Sequence, residues 1–434
     1  MTDHQSWGRF PAVKQEVSYL RWRHEPLPPP VAGRPFLPYG NGRSYGDSCL
    51  NDGGILLDAR GLDRLIAFDP ETGVLLCEAG VLFSDILEYA APRGWFLPVT
   101  PGTRFVTVGG AIANDVHGKN HHRAGTFGCH VRRFELLRSD GSRAVCSAQE
   151  NGELFAATIG GLGLTGVIVW AEFGLMPVPG PLIAVEHVRF GNLEEFFAIS
   201  AASDADYEYT VAWIDCLASG ASLGRGIYSR GNHSASSPGR QATPPRALPF
   251  PLNPPFSMIN AATLRAFNAL YYRKQLRQKE EAICHYEPFF YPLDRILGWN
   301  RMYGSNGFLQ YQCMVPRTAG PEAIREILER IARSGTGSFL AVLKTFGERI
   351  SPGMLSFPRP GTTLALDFPN QGKRTFDLLD HLDETVRAAG GRVYPAKDAR
   401  MSGESFRNYY PDWLEFRKHM DPSFSSSFWR RVMA

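Results

Sequence analysis

The run YGNGRSYGD, Tyr39 to Asp47, sets three glycines within seven residues beside an arginine, a serine and a tyrosine. Glycine permits positive φ and close backbone approach, so such a run can fold its N–H groups around an anion such as a pyrophosphate. A tight structural turn would use the same residues. A second block, TPGTRFVTVGGAIANDVHGKNHH, Thr100 to His122, places Gly109, Gly110, Ala111 and Ala113 where a strand would hand over to a helix. The amides of that helix start could approach a phosphate or a flat ring; small side chains serve tight helix packing equally well. With a third glycine-rich bend in ATIGGLGLTGVIVW, the first 175 residues carry the lining expected of one long ligand. His117, His121 and His122 invite a metal reading, but no carboxylate or cysteine stands at ligand spacing, so no metal is expected. Further on, Gln310 and Gln312 in FLQYQ share one strand face by the period of two, as do Lys344 and Phe346 in SFLAVLKTFG. If that face looks at a ligand, Gln312 and Lys344 meet its hydroxyls or phosphate; if it looks away, they are surface residues.

The elements that must position these residues mix strands and helices. RLIAF and VLLCEAG flank the turn DPETG and predict a hairpin; FSDILEYAAPRG has helical spacing and a glycine stop; WFLPV resumes an extended run. ELFAAT predicts a short helix, and Gly166 to Phe173 a strand. Beyond Pro177 the character changes. Residues 231–256 are rich in Ser, Pro and Gly and predict a mobile loop, and NAATLRAFNALYYRKQLRQKEEA a basic, aromatic helix suited to an anionic lipid surface or to plain solvation. GFLQYQCMV, SFLAVLKTFG and TTLALDFPN read as strands, with helices over GPEAIREILERIARSG and RTFDLLDHLDETVRAAGG; this order predicts an antiparallel sheet with helices on one face.

At 434 residues the chain exceeds one core, and its apolar content of 44% and charged content of 21% are those of a globular protein. A net charge of +3 gives no reason to expect a nucleic-acid partner. Seven scattered cysteines without a C-x-x-C pair, and no apolar run of about 18 residues, predict a cytoplasmic protein, with peripheral membrane contact left open. There is no GK[ST] phosphate loop, no G-x-S-x-G elbow and no H-E-x-x-H, and the βαβ context of a Rossmann fingerprint is missing.

A dinucleotide held by glycine turns outside a Rossmann fold points to a flavin. GNGRSYGD, the block from Pro98 to Gly128, ELFAATIGGLGLTGVI, WNRMYG, FLQYQ and YPAKDAR together resemble the flavoprotein subunits of decaprenylphosphoryl-β-D-ribose 2-epimerase. These oxidases belong to the vanillyl-alcohol oxidase, or PCMH, type of FAD proteins and have an aldonolactone-oxidase-like C-terminal region. The resemblance implies an α+β protein: a PCMH-type FAD-binding domain of two α/β subdomains over residues 1–178, a substrate domain on an antiparallel sheet over 179–390, and a segment 391–434 returning to the FAD domain. It implies that Gly40, Asn41, Gly42, Arg43, Ser44, Tyr45 and Gly46 clasp the pyrophosphate, with Tyr39 also at the cofactor. Gly102, Thr103, Thr107, Val108, Gly109, Gly110, Ala113, Asn114, Val116, His117 and Gly118 would line the rest of FAD, with Ile168 and Tyr394. Many relatives attach FAD to a histidine in the first glycine loop; Arg43 stands at about that place, so FAD is expected to be non-covalent.

Alcohol oxidation needs a hydride acceptor, a group for the hydroxyl proton and positive charge near the flavin. Lys397 of YPAKDAR matches the family's active-site lysine, and His117 and Tyr45 complete the implied catalytic set. Gln310, Gln312, Lys344, Trp213, Arg301 and Asp367 would join Lys397 at the substrate. Some family members carry a cysteine where this chain has Ala365, so inhibitors that trap that thiol should not bond here. The implied reaction oxidises the 2-hydroxyl of a polyprenylphosphoryl ribose to a ketone, and a separate short-chain reductase completes the epimerisation. A soluble sugar-alcohol or aldonolactone oxidase and a non-catalytic glycolipid-binding flavoprotein are the alternatives.

Overall fold

The computed structural model describes residues 4–235, 247–252 and 254–434. Its N-terminal part holds two larger sheets and a two-stranded ribbon of Trp95–Phe96 with Met176–Pro177. Strands Glu16–Tyr19 and Phe36–Tyr39 flank Ile55–Asp58 in a parallel three-stranded sheet. A five-stranded antiparallel sheet runs in the order Leu65–Asp69, Val74–Glu78, Val167–Gly174, Val131–Leu137, Arg143–Ser147. The DPETG hairpin joins its first two strands as the sequence predicts, and the helix Phe83–Ala90 runs into a short turn stopped by Gly94 at φ +80°. Their apolar faces share a core that includes Leu75, Phe83, Ile86, Phe134 and Phe173.

The C-terminal part is built on an eight-stranded, wholly antiparallel sheet. Its centre is formed by Tyr209–Ile214, Ala341–Phe346, Gly361–Pro369 and Phe308–Pro316, in that order. Alternation decides what each face does. Leu309, Tyr311, Cys313 and Val315 on one strand, Leu364, Leu366 and Phe368 on the next and Leu343 beyond it turn to one side. There they meet Ile324, Ile327, Leu328 and Ile331 of the helix Gly320–Ser334 and Leu379, Leu382 and Val386 of the helix Lys373–Ala388. Burial of the two helical stripes and the sheet face fixes the register, because a slip by one residue would turn each strand's apolar set outward. The opposite face is left for the polar residues.

Four local expectations change. The extended run WFLPV shrinks to the strand Trp95–Phe96, since Pro98 and Pro101 break the ladder that would follow. No strand precedes the small residues of the second glycine block. Thr107 caps the helix Val108–Ala113 directly, its side-chain oxygen accepting from the Gly110 amide at 3.1 Å, and touches Leu82 through an isolated bridge. The basic helix ends at Lys274; KEEA continues as part of the edge strand Lys279–His285, which pairs with Leu182–Phe190, so sheet pairing overrides helical propensity. The expected loop near 231–256 lies partly outside the described residues; residues 231–234 complete the strand Gly226–Ser234, and Leu248–Pro249 pairs in parallel with Ile296–Leu297.

The chain end folds back over the first glycine loop. In the helix Ser427–Met433, Phe428, Trp429 and Val432 enter the core, while Arg431 donates to Asp47 Oδ1 at 2.8 Å and to Asp398 Oδ2 at 2.9 Å. Both carboxylates are buried. One guanidinium thus ties the first glycine loop to the loop that carries Lys397.

Candidate functional site

A cavity of about 880 Å³ lies between the glycine loops and the polar face of the eight-stranded sheet. Its sheet wall follows from register. Gln310 stands opposite Asp367, Gln312 opposite Ala365, Ala365 opposite Val342, and Thr363 opposite Lys344, all lining the cavity. The period-two reading of FLQYQ and LAVLKTF therefore takes its first alternative: the face looks at the cavity.

The opposite wall is glycine backbone. The amides of Asn41, Gly42, Arg43 and Ser44 make no hydrogen bond among the described residues, although the Tyr45 amide is anchored on the Ala396 carbonyl at 2.9 Å. Unpaired N–H groups in a row form the concave donor set that an anion fills. Gly42 has φ +59°, and a Cβ there would stand 2.2 Å from the Tyr39 hydroxyl oxygen, so this turn admits only glycine without strain. Arg43, which lines the same cavity, lies 4.5 Å over the Trp7 ring and donates to the Asn41 carbonyl at 2.6 Å. The second block is braced from below by Asp115, fully buried, which accepts from the Gly128 amide at 2.9 Å, from Ser351 Oγ at 2.5 Å and from Ser356 Oγ.

The titratable groups are arranged between these walls. Lys397 Nζ sits 3.9 Å over the Tyr45 ring, and burial pulls its ammonium down to about 7 against the raising effect of Asp367. Asp367 accepts from Gln310 Nε2 at 2.7 Å and from the Tyr303 hydroxyl at 3.4 Å, and burial pushes its carboxyl up to about 7. Burial thus brings Lys397 and Asp367 both close to neutrality, and each charge favours the charged form of the other. Lys344 donates to the Gly118 carbonyl at 2.8 Å and is brought down to about 7 by burial, then by Lys119 and Lys397. His117 Nε2 meets Gln312 Nε2 at 2.8 Å, an arrangement in which the amide donates to the ring. Burial, then Lys344, His121 and Lys397, hold His117 well below its ordinary value, so the ring is neutral with its proton on Nδ1, a buried atom without a partner.

Of the residues picked out in the sequence, Tyr39, Gly40, Asn41, Gly42, Arg43, Ser44, Tyr45, Gly102, Thr103, Thr107, Gly109, Gly110, Ala113, Asn114, Val116, His117, Gly118, Ile168 and Tyr394 line this cavity. Gln310, Gln312, Lys344, Arg301, Asp367 and Lys397 join them. Three others stand outside the lining. Gly46 packs against the backbone of Asp398, where a Cβ would be 1.7 Å from the carbonyl oxygen. Val108 is wholly buried in the core below. Trp213 is on the cavity side of the sheet, opposite Val342, but Tyr271 covers its ring at 4.5 Å between centroids and its Nε1 donates to the Phe339 carbonyl at 2.8 Å. His121 and His122 leave the cavity too; His121 Nδ1 accepts from the Gly347 amide and His122 Nε2 meets the Tyr207 carbonyl.

Sequence reasoning missed Lys119, Asp294, Trp7 and Arg431. Lys119 neighbours His117 in the quoted block and was there to be found; it lines the cavity, and burial lowers it to about 8. Asp294, whose Oδ2 accepts from the Arg104 amide at 2.9 Å, sits in a segment with no period or motif. Trp7 and Arg431 reach the loop from the two ends of the chain.

An FAD molecule meets this donor set well. The free amides of residues 41–44 and Arg43 suit its pyrophosphate, the small Gly109, Gly110 and Ala113 admit a flat ring, and the unpartnered His117 Nδ1 suits an acceptor on it. FAD, when bound, supplies the acceptor for two electrons and a proton.

Residues 30–147 match a family model described as FAD binding domain. Decaprenylphosphoryl-beta-D-ribose oxidase of Mycolicibacterium smegmatis is 40% identical over 92% of this chain and 89% of its own length. An uncharacterised protein of Streptomyces coelicolor is 36% identical over 80% of this chain and 98% of its own. Cytokinin dehydrogenase 7 of Oryza sativa is 29% identical over 46% of this chain and 39% of its own, a likeness confined to part of each. With glycine backbone on one wall and the lysine-bearing sheet face on the other, the chain belongs to the decaprenylphosphoryl-β-D-ribose oxidase family of FAD-dependent oxidoreductases.

Proposed function

We propose that the protein oxidises the 2-hydroxyl of a polyprenylphosphoryl ribose to the 2-keto form, the first half of an epimerisation that a separate short-chain reductase completes. The observation that carries the reading is the convergence of Lys397, Asp367, Gln310, Gln312 and Lys344 on the cavity that the glycine loops bound. Two amides, two amines and a carboxyl supply the directional donors and acceptors that a pentose requires. Lys397, near 7, is available as a free amine. It takes the proton of the hydroxyl as the carbon gives up its hydride, and the ammonium so formed balances the negative charge left beside it. Asp367, fixed by Gln310 and Tyr303, steadies that ammonium. His117, neutral and held by Gln312, orients rather than ionises. FAD is bound without a covalent link, since Arg43 replaces the attaching histidine of the first loop, and the protein works at the membrane surface where its substrate resides.

The test is optical. The purified yellow protein, mixed anaerobically with a farnesylphosphoryl ribose, should lose its flavin absorption near 450 nm in a single phase on the order of turnover. Free ribose, a sugar alcohol and an aldonolactone serve as comparisons. Equal or faster bleaching by one of these would replace the proposal with a soluble sugar oxidase, and no bleaching by any alcohol would leave a glycolipid-binding flavoprotein.

A further inference from the structure

Among the described residues, eleven of the seventeen exposed large apolar side chains lie between residues 248 and 297. They belong to connected pieces. Leu248 pairs with Ile296 in the ribbon that also holds Leu297, and Leu252 follows three residues beyond Pro249. Phe256, 71% exposed, follows on a segment held against Gly304 and Met302, and Asn260 then caps the helix Ala261–Lys274, which presents Leu270 at 73% exposure. Leu276, 81% exposed, stands just past its end. Single exposed apolar side chains are ordinary on a surface, but their gathering into one connected region marks an interaction site.

Two observations say what the partner is. The first is continuity with the site. Ile296 and Leu297 are exposed and also line the cavity, and the helix rests through Tyr271 on Trp213, on the cavity side of the sheet. The second is charge. The helix holds Arg265, Arg273 and Lys274 and no carboxylate, and Arg277 follows; all four are exposed. Apolar side chains beside a one-signed basic set, at the mouth of a cavity, match a bilayer interface that bears anionic headgroups.

We infer that the surface formed by Leu248, Leu252, Phe256, the helix Ala261–Lys274 and Leu276 docks on an anionic phospholipid bilayer, so that the cavity opens at Ile296 and Leu297 onto the acyl region that holds a substrate's prenyl chain. The inference rests on the proposed lipid-linked substrate for its purpose, not for its test.

The purified protein is sedimented with phosphatidylglycerol vesicles and with phosphatidylcholine vesicles. The wild type should bind the anionic vesicles, and added salt should release it. The triple variant Phe256→Ser, Leu270→Ser, Leu276→Ser should bind at least about tenfold more weakly, whereas Ile350→Ser with Leu414→Ser, which removes exposed apolar side chains elsewhere, should bind as the wild type does. Retention of FAD colour by each variant shows that it is folded. With farnesylphosphoryl ribose in free solution the triple variant should keep wild-type turnover, and with a long-chain substrate presented in anionic vesicles it should lose most of it. Wild type that ignores anionic vesicles, variants that all bind alike, or a triple variant whose only change is loss of self-association in sedimentation would each overturn the inference. Failure of every ribose substrate to bleach the flavin would refute the proposed reaction and leave the vesicle result standing.

Discussion

Lys397→Met tests whether the catalytic site is held at the expense of stability. The side chain keeps its length and gives up its charge. Burial brings the Lys397 ammonium from its ordinary value down to about 7, whereas an unfolded chain leaves it near 10.5. Above pH 10.5 both states carry the neutral amine and the lysine costs nothing. As pH falls, the unfolded chain takes up the proton first, and wild-type stability declines by about 1.4 kcal/mol per pH unit until the folded site also protonates near 7. Carried over that whole interval, the cost is roughly 5 kcal/mol, an upper bound because the amine faces a cavity that water can enter. The contact with Tyr45 favours the ammonium and lowers that figure further, so a few kcal/mol should remain. Urea unfolding of FAD-saturated wild type and Lys397→Met at pH 7 and pH 10.5 measures it. The variant should be more stable at pH 7 by about 2–4 kcal/mol, equal at pH 10.5, and nearly without turnover. A stability difference that is the same at both values, or that favours wild type at pH 7, would refute the claim that this lysine is held partly deprotonated by burial.

Asp367→Asn removes the carboxylate that raises Lys397, so the acid limb of the rate profile should move to lower pH; a limb that stays in place detaches Asp367 from Lys397. Gly42→Ala meets both a left-handed backbone and the Tyr39 and Gln5 oxygens at 2.2 and 2.5 Å, and flavin fluorescence titration should show FAD affinity lower by at least about tenfold. Arg431→Met leaves Asp47 and Asp398 buried without their shared guanidinium and should cost about 3–5 kcal/mol in denaturant unfolding, with Arg431→Lys recovering only part. Ala365→Cys puts a thiol on the cavity wall between Gln312 and Val342, where mass spectrometry should find it alkylated in the FAD-free protein and protected when FAD and substrate are bound.

What sequence determined here is what depends on nearest neighbours along the chain. Alternation in FLQYQCMV divides Gln310 and Gln312 from Tyr311 and Cys313 whatever the strand later pairs with, because successive side chains must point to opposite faces. Gly42 can be recognised as a turn residue because only glycine takes its backbone angle freely. The glycine blocks carry the family resemblance for the same reason: each must bring bare backbone to a ligand. Which face of FLQYQCMV meets the cavity depended on where two helices found their apolar stripe. The tertiary structure alone decided that Trp213 is covered by Tyr271, that KEEA pairs as an edge strand rather than extending a helix, and that Arg431 spans 384 positions to reach Asp47. It also turned ordinary lysines into groups that titrate near neutrality. Desolvation and charge coupling act through space over a few ångströms, and no pattern along the chain encodes which distant residues will share that space.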